Sequence, residues 1–440
     1  MEIKSPPQNK PRAQVKLKKE LKVPLALSLF SSGGIGDLGV EAAGMQIILA
    51  NELIPSRVAL YQENFSHPVL PGDIRERRDE IIETSLRHLA GKELFLFYAT
   101  PPCQGMSSNG LGKLKSEVAL GRRAEEDARN RLVIPAMDIA IALRPRWILF
   151  ENVPGMEKTD IRTDENHYEN IIAYIQRRLG NGYAGCAEVI ACEDFGIPQK
   201  RRRLITLYTR DESGKRFFKQ NGGTFFAQGM KEAKRTLRDA IGNLPALDAR
   251  LGKNSAKEFH PYHYVPVMSD LKYQWVVNTA EGSTAFNNQC VNPACLSQDN
   301  PGHQDIKLDG KWVSSKSIPI LCGACGSLLP RPHVVQDGVP RLLKGFHSAY
   351  RRMKWDEPAR TITQNFLYEA SDNKIHPEQN RVLSILEATV LQTIDRYPYK
   401  FEVNGKTLSS ARIAEVIGES VPPYLIEKIC RMMREVSSDF

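Results

Sequence analysis

Two segments of the chain place a reactive side chain directly after an apolar strand. Cys103 follows "ELFLFYATPP", and the prolines Pro101 and Pro102 keep the chain extended ahead of the thiol. Glu151 follows the apolar run "RWILF". Because the carboxyl ends of parallel strands meet at one edge of a sheet, we expect Cys103 and Glu151 to be neighbours. The pair predicts a thiolate nucleophile beside a carboxylate that can accept from the exocyclic amine of cytosine. The alternative is a small buried cysteine and a glutamate that caps a turn.

Basic side chains alternate with other residues along a third apolar segment. The stretch "GIPQKRRRL" carries Gln199, Arg201 and Arg203 at every second position. In a strand this spacing places Arg201 and Arg203 on one face, where they suit a phosphate or a base carbonyl. A solvated basic edge is the alternative.

A glycine-rich loop follows the first apolar strand. In "LFSSGGIGDLGVEAAG" the spacing is Gly34-x-Gly36-x-x-Gly39. Such glycines let the backbone approach a ligand beside a helix N-terminus. Glu52 and Asp73 follow the next two strand-like segments and can accept hydrogen bonds from ribose hydroxyls. The loop therefore predicts a ribose-bearing cofactor. A nicotinamide-dependent dehydrogenase and a purely structural strand-turn-helix remain open at this point.

Composition limits the class of protein that carries these groups. The chain has 440 residues, 41% hydrophobic and 25% charged, as expected for a globular protein of two or three domains. We find no signal peptide and no apolar run long enough for a membrane span, and the eight cysteines are dispersed. These features predict an intracellular, reducing location. The net charge of +9 favours a polyanionic partner.

The order of the segments predicts an α/β fold with a mostly parallel sheet covered on both faces. Helices are expected over residues 165–180 and 379–394, with two more near the C-terminus that Pro422 and Pro423 separate. We predict four parts of the chain: a basic flexible tail over 1–22, a catalytic and cofactor-binding domain over 23–210, a smaller, loop-rich inserted domain over 211–345, and a segment over 346–440 that returns to the catalytic domain.

Four cysteines of the inserted domain have the spacing of a metal site. They occur in "CVNPAC" and "CGAC", as Cys290-x4-Cys295 and Cys322-x2-Cys325. Two such pairs suit a tetrahedral structural zinc, whereas unligated thiols or a redox pair are the alternatives. His303 and His333 could substitute as ligands. Basic neighbours, including Lys307, Lys311, Lys316 and Arg331, could contact phosphate or form a solvated face. Cys186, Cys192 and Cys430 are expected to serve packing.

Taken in order, the segments resemble the cytosine-C5 DNA methyltransferase family. The resemblance runs through "LFSSGGIGDLG", "NEL", "GDI", "PPCQGMS", "RNRL", "ENVPG" and "GIPQKRRR". It resumes in "EPARTIT", "RVLSILEATVLQT" and "IGESVPP". It covers about 23–210 and 342–440 and implies a Rossmann-like methyltransferase domain with an inserted target-recognition domain. The predicted activity is methyl transfer from S-adenosylmethionine to C5 of a cytosine in duplex DNA.

The resemblance also implies a role for each candidate residue. Cys103 would add to C6 of a flipped cytosine, Glu151 would hold N3 and the exocyclic amine, and Arg203 would position the nucleotide with support from Arg201 and Gln199. DNA contacts are implied for Ser107 and Thr361. The cofactor residues implied are Phe30, Ser31, Gly33, Gly34, Ile35, Glu52, Leu53, Asp73, Ile74, Pro101, Glu419 and Ser420.

Two positions depart from the family pattern. Ser28 stands where the family usually has Asp, and Glu419 where it usually has Asn. Neither departure involves Cys103 or Glu151, so both concern the cofactor. Duplex DNA is the expected partner of a monomeric enzyme, compatible with a restriction or defence-system partner. A tRNA cytosine methyltransferase on the same scaffold and a catalytically silent DNA-binding homologue are the rival interpretations.

Overall fold

A seven-stranded sheet forms the centre of the computed structural model, with strand order β3-β2-β1-β4-β5-β10-β8. The described residues are 23–102, 127–164, 167–226, 228–303, 305–308, 311–314, 318–343, 348–371 and 374–437. The strands are β1 Leu25–Leu29, β2 Gln46–Glu52, β3 Val69–Pro71, β4 Leu96–Ala99, β5 Trp147–Asn152, β6 Asp160–Arg162, β7 Tyr168–Asn170, β8 Ala184–Ala191, β9 Gln199–Lys200, β10 Arg202–Thr209, β11 Asp305–Leu308, β12 Lys311–Ser314, β13 His333–Gln336, β14 Val339–Leu342, β15 Ala359–Arg360, β16 Glu402–Val403 and β17 Lys406–Thr407.

The sheet is mostly parallel, which confirms the predicted fold class. Strands β1 to β5 pair in parallel, and only β10 runs antiparallel to its neighbours β5 and β8. The strand order reverses between β1 and β4. In open α/β sheets a crevice forms at such a point, outside the carboxyl ends of the strands. The loops after β1, β4 and β5 therefore surround the expected ligand site.

Helices cover both faces of the sheet because successive residues of each buried strand point to opposite sides. Leu25, Leu27 and Leu29 of β1 pack with α3, α4 and α5, whereas Ala26 packs on the other face with α1, α6 and α11. The helices are α1 Ile35–Ala42, α2 Pro55–Asn64, α3 Ile74–Leu89, α4 Val133–Leu143, α5 Ile171–Leu179, α6 Glu212–Gln220, α7 Leu237–Ile241, α8 Asp270–Val277, α9 Ile385–Leu391, α10 Ser410–Glu419 and α11 Pro423–Val436. Short 3₁₀ helices span Ala128–Leu132, Pro154–Lys158, Gly180–Gly182, Cys192–Phe195, Gln228–Met230, Ala285–Asn287 and Ile394–Arg396.

Two helices are shorter than the sequence predicts. The expected helix over 165–180 begins only at Ile171, because β7 pairs with β6 and the side chain of Asn170 caps the helix by accepting from Ile172 N. The expected helix over 379–394 is confined to α9. A capping box between Ser384 and Glu387 starts it, so the apolar residues before Ser384 are buried without being helical.

The C-terminal helices return to the sheet, and their separation at the prolines is confirmed. α11 begins at Pro423 and packs so closely on α1 that a Cβ atom on Gly39 would lie 2.2 Å from Pro423 O. Segment 217–230 packs on the same face of the sheet, and α7 packs with the C-terminal segments. None of the helices in the described part of the chain is long and apolar enough to cross a membrane.

Candidate active site

Side-chain hydrogen bonds join the tips of β1, β4 and β5. Thr100, after β4, donates its backbone N–H to Leu29 O at 3.2 Å and its hydroxyl to Phe30 O at 3.0 Å. At the end of β5, Asn152 Nδ2 donates to Pro101 O at 3.1 Å. The glycine-rich loop, the Pro101–Pro102 segment and the end of β5 are therefore held together at the crevice.

The predicted nucleophile belongs to a segment that is not described. Cys103 and Ser107 both fall within residues 103–126, outside the described residues, and Pro102 is the last described residue before them. The proximity of Cys103 to Glu151 therefore stays a prediction. The described contact is that between Pro101 and Asn152, which is the next residue after Glu151.

Glu151 and Arg203 form a nearly buried ion pair at this edge. In the β5–β10 pairing Ile205 lies opposite Glu151, so Arg203, two residues earlier, projects from the same face. Arg203 Nε lies 2.6 Å from Glu151 Oε1, and only 13% and 10% of the two side chains are exposed. A carboxylate has several acceptor sites, so this ion pair leaves Glu151 able to accept from a ligand.

Arg201 contacts different groups from Arg203. Its side chain is 1% exposed, and its guanidinium donates to Ile362 O at 2.8 Å and to Ser420 O at 2.6 Å. A further bond reaches Gly418 O at 3.2 Å. Arg201 therefore holds two C-terminal segments against the strand that carries Arg203.

Gln199 and Thr361 also join the C-terminal segments to the sheet region. Gln199 is fully buried; its Nε2 donates to Gln392 Oε1 at 2.6 Å, and its Oε1 accepts from Ile362 N at 2.9 Å. The Thr361 hydroxyl donates to Lys200 O at 2.7 Å, beside the paired strands β9 and β15. Both residues therefore tie the segment just before β10 to the C-terminal part of the chain.

The glycine-rich loop has an unusual backbone where it enters α1. Phe30, Ser32 and Gly34 have positive φ angles of 59°, 50° and 83°. At Gly34 a Cβ atom would lie 2.2 Å from Cε2 of Phe65, so both conformation and space require glycine. The loop brings Phe30 to the crevice between β1 and β4.

Two carboxylates predicted to bind the cofactor lie at the ends of β2 and β3. Glu52 is 5% exposed, and its oxygens accept from Ser32 N and Ile54 N, each at 2.8 Å. Asp73 caps α3, and its hydrogen bond from the Arg75 side chain lowers its pKa. Both carboxylates keep further lone pairs for ribose or base groups. The other predicted cofactor positions nearby are Ser31, Gly33, Ile35, Ile74 and Pro101, which are buried, and Leu53, which is exposed.

The four cysteines of the inserted region come together as predicted. Their sulfur atoms all lie within 4.8 Å of one another. The Sγ–Sγ distance is 3.7 Å for Cys290–Cys325 and 3.8 Å for Cys295–Cys322. A tetrahedral zinc with Zn–S bonds of about 2.3 Å requires sulfur atoms about 3.8 Å apart. The thiol geometry therefore fits a structural zinc.

Arg331 and His333, which lie near this cluster, have structural roles. Arg331 is fully buried and donates to Asn288 O, Pro301 O and Pro319 O, each at 2.8 Å, so its predicted phosphate contact is wrong. His333 Nδ1 bonds to Arg331 O at 2.8 Å. Because Asn288 comes just before Cys290 and Pro319 just before Cys322, Arg331 joins the two cysteine segments.

The comparisons with known proteins identify the family. Residues 26–435 match the family described as C-5 cytosine-specific DNA methylase. The chain belongs to this family. It is 31% identical to the type II methyltransferase M1.HgaI of Avibacterium volantium, over 92% of this chain and 97% of that protein. It is 25% identical to the type II methyltransferase M.AgeI of Thalassovita gelatinovora, over 90% and 95% of the two chains.

A solved structure supports the fold. A prophage-encoded E. coli protein described as a DNA modification methyltransferase superposes with a TM-score of 0.56 and 17% identity, over 94% of this chain and 99% of that chain. The predicted family, enzyme class and α/β fold are confirmed. The alternative of a nicotinamide-dependent dehydrogenase is wrong.

Within this methylase, a buried carboxyl group from another residue lies beside Ser28. The Ser28 hydroxyl donates to Asp37 Oδ1 at 2.7 Å, and Tyr61 OH donates to Asp37 Oδ2 at 2.6 Å. Burial raises the pKa of Asp37 to about 6, although both hydrogen bonds oppose the rise. The carboxyl group beside residue 28 therefore belongs to Asp37, and residue 28 itself is a serine.

Glu419, the second departure, contacts two side chains that are distant in the sequence. Burial raises its pKa, and its carboxylate pairs with Arg57 from the first turn of α2 and accepts from Gln364 Nε2. Sequence reasoning missed Arg57, since no local pattern connects it with a residue so distant in the chain. The pair ties the C-terminal part of the cofactor region, including Ser420, to α2.

Proposed function

We propose that this methylase transfers the methyl group of S-adenosylmethionine to C5 of a cytosine flipped out of a specific duplex DNA sequence, and releases S-adenosylhomocysteine. The observation that carries the proposal is the Glu151–Arg203 pair, at the tip of β5 beside the segment that leads to Cys103. Family membership supports DNA as the substrate.

In the proposed reaction the Cys103 thiolate adds to C6 of the cytosine, and the new Sγ–C6 bond makes C5 a carbon nucleophile. Glu151 accepts from the exocyclic amine and shares a proton with N3, and this proton draws electron density away from C6. Bound S-adenosylmethionine supplies an electrophilic methyl group. Loss of the C5 proton then returns an electron pair to the ring and expels the Cys103 thiolate.

Arg203 is proposed to act on both Glu151 and the nucleotide. Its guanidinium fixes the carboxylate at 2.6 Å in a nearly dry setting, where charge-assisted hydrogen bonds are strong. Arg201 and Gln199 are proposed to support the strand segment that carries it. Extruding the base from the duplex costs a few kcal/mol, which contacts in this pocket must offset.

The cofactor is proposed to bind in the crevice between β1 and β4. Phe30 would contact the adenine, Glu52 the ribose hydroxyls, and Asp73 with Ile74 the adenine edge. Glu419 and Ser420 would close the pocket from the C-terminal side. Two observations support the fit of the cofactor: Glu52 keeps lone pairs that can accept further hydrogen bonds, and the loop makes a tight turn at Gly34.

For residues 211–345 we propose target recognition, stabilised by one structural zinc on the four cysteines. The sulfur–sulfur distances and the shared contacts of Arg331 support the metal. A closed four-thiolate site has no open position for substrate, so its role is to stabilise the fold. Thr361 and Ser107 are proposed to contact DNA.

We further propose a monomer that acts inside the cell, in a restriction-modification setting. The relatives named type II methyltransferases support the setting. None of the seven cysteines among the described residues forms a disulfide, which agrees with a reducing compartment.

The test uses duplex DNA containing 5-fluorocytosine at the methylated position, with S-adenosylmethionine. Fluorine at C5 cannot leave as a proton, so the wild type should remain covalently attached to the DNA. Cys103→Ala should form no adduct and methylate no ordinary DNA. The control Cys186→Ala should form the adduct and methylate ordinary DNA, as the wild type does. An adduct formed by Cys103→Ala would refute the nucleophile assignment.

The same assay separates the rival functions. Labelled methyl groups incorporated into tRNA and not into duplex DNA would replace the proposal with the tRNA methyltransferase. DNA binding without any transfer would replace it with the silent homologue. Glu151→Gln should retain DNA binding and lose most methyl transfer, since an amide cannot supply the proton that Glu151 shares with N3.

A further inference from the structure

A two-stranded hairpin, β13–β14, lies beside the four-cysteine cluster. One of its faces carries both polar and apolar side chains and is exposed. Asp337 and Gly338 connect the strands, and both have positive φ angles, 53° and 75°. This is the geometry of a tight two-residue turn that matches the twist of a β-ribbon. The hairpin is therefore a defined ribbon and not an irregular loop.

One face of the ribbon is exposed along its whole length. Alternation places Val334, Gln336, Val339 and Arg341 on this face, and all four are exposed, with values of 46% for Val334 and 54% for Val339. On the other face His333 is buried against Trp275 and Leu342 is partly buried, whereas Val335, next to the turn, is 64% exposed. Several apolar side chains exposed together on one short ribbon indicate a surface that another molecule covers.

The chemistry of the exposed face matches the edges of DNA bases. Arginine forms paired hydrogen bonds with guanine, glutamine forms them with adenine, and apolar side chains contact the thymine methyl group. Arg341 Nη1 donates to Gln336 Oε1 at 3.2 Å, so the two polar groups are pre-aligned on one surface. A two-stranded ribbon is also narrow enough for the major groove, which is about 12 Å wide.

The base of the hairpin is anchored to the cysteine segments. Arg331, two residues before β13, binds carbonyl groups in both segments, and His333 Nδ1 contacts Arg331 O. Leu343 N, just after β14, donates to Pro332 O. A rigid base fixes the direction in which the ribbon projects, as a sequence-reading element requires.

We propose that the β13–β14 hairpin enters the major groove of the target duplex and that Arg341 and Gln336 read base edges there. The net charge of +9 favours the DNA polyanion over a second copy of the chain. Within the hairpin the cation Arg341 lies on the exposed face, whereas the carboxylate of Asp337 lies in the turn. This inference rests on the proposed function, since it concerns the substrate of the same reaction.

The test maps every methylated cytosine in a duplex library of random sequence after incubation with S-adenosylmethionine. Wild type should yield a defined target sequence. Arg341→Ala should relax the preference at one guanine by about 5-fold to 150-fold while leaving the other positions unchanged. Gln336→Ala should do the same at a different base pair.

The control is Lys406→Ala. Lys406 is an exposed cation on the hairpin β16–β17, whose turn residues Asn404 and Gly405 also have positive φ angles. It should keep the wild-type target sequence. A second measurement changes the DNA: replacing the guanine read by Arg341 with 7-deazaguanine should slow the wild type, because N7 is a major-groove acceptor. The same replacement should leave Arg341→Ala unaffected.

The outcomes separate the two proposals. Unchanged base preferences in Arg341→Ala and Gln336→Ala would overturn the hairpin assignment and leave the proposed function standing. A wild type that methylates no cytosine in the library would overturn both. A wild-type dimer that Val339→Asp converts to a monomer, with an unchanged target sequence, would identify the face as a contact between copies and overturn DNA reading.

Discussion

Arg331 gives the most direct test of how the inserted region is held together. Its side chain is fully buried and donates to Asn288 O, Pro301 O and Pro319 O. Burial lowers its pKa to about 10, so the guanidinium remains charged at neutral pH. Arg331→Met keeps a similar apolar stem and removes every one of these donors.

The expected cost follows from the three carbonyl groups that lose their donor. A buried polar group without a partner costs about 1–3 kcal/mol, and water entering the vacated space offsets part of this. Using the lower end for each of three carbonyls, we expect a loss of about 3 kcal/mol in the local free energy of unfolding. When amide exchange is governed by the opening equilibrium, such a loss corresponds to about 150-fold faster exchange.

Hydrogen exchange measured by mass spectrometry reports this locally. Peptides covering 286–302 and 318–332 should exchange faster in Arg331→Met, whereas peptides from β1 and β4 should not change. Arg177→Met, an exposed arginine on α5 paired with Glu169, serves as the control and should leave both cysteine segments unchanged. Exchange in Arg331→Met within 5-fold of the wild type would refute the view that Arg331 joins the segments.

Three more predictions concern the cofactor and catalytic regions. Gly34→Ala should abolish S-adenosylmethionine binding measured by calorimetry, because its Cβ atom would clash with Phe65, whereas Gly223→Ala, with φ of 89° and no atom within 4 Å, should bind normally. Asp37 has a folded-state pKa of about 6 against 3.8 unfolded, so its burial should reduce stability by roughly 3 kcal/mol as pH rises from below 3.8 to above 6. Asp37→Asn should flatten this dependence in urea titrations across that range, and an unchanged slope would contradict the assignment. Arg203→Ala should slow single-turnover methyl transfer by about 100-fold through loss of a charged hydrogen bond, and Arg203→Lys should recover part of it.

The buried strands of the central sheet were predictable because burial leaves a local signal. The run "LALSL" of β1 is apolar except for Ser28, since helices cover both of its faces. The same signal failed over 379–394, where burial comes from irregular segments packed against one another. There the capping box at Ser384, visible in the sequence, marks the true start of α9.

The candidate site was predictable only where chemistry and strand ends coincide. Glu151 is recognisable because it follows an apolar strand, and its partner Arg203 lies on a strand that pairs with it directly. By contrast, Arg57 and Arg331 are single cations whose partners are set by tertiary contacts. No spacing rule reveals such partners, so Arg331 was mistaken for a surface group.

The return of the C-terminal segment to the sheet determines what a truncated chain would lose. α11 packs on α1, Trp147 Nε1 donates to Ser437 Oγ, and Arg201 binds carbonyl groups at 418 and 420. A chain that lacks these segments loses the carbonyl partners of Arg201 and the helix that packs on α1. We therefore expect such a truncation to uncover the face of the central sheet on which α11 packs.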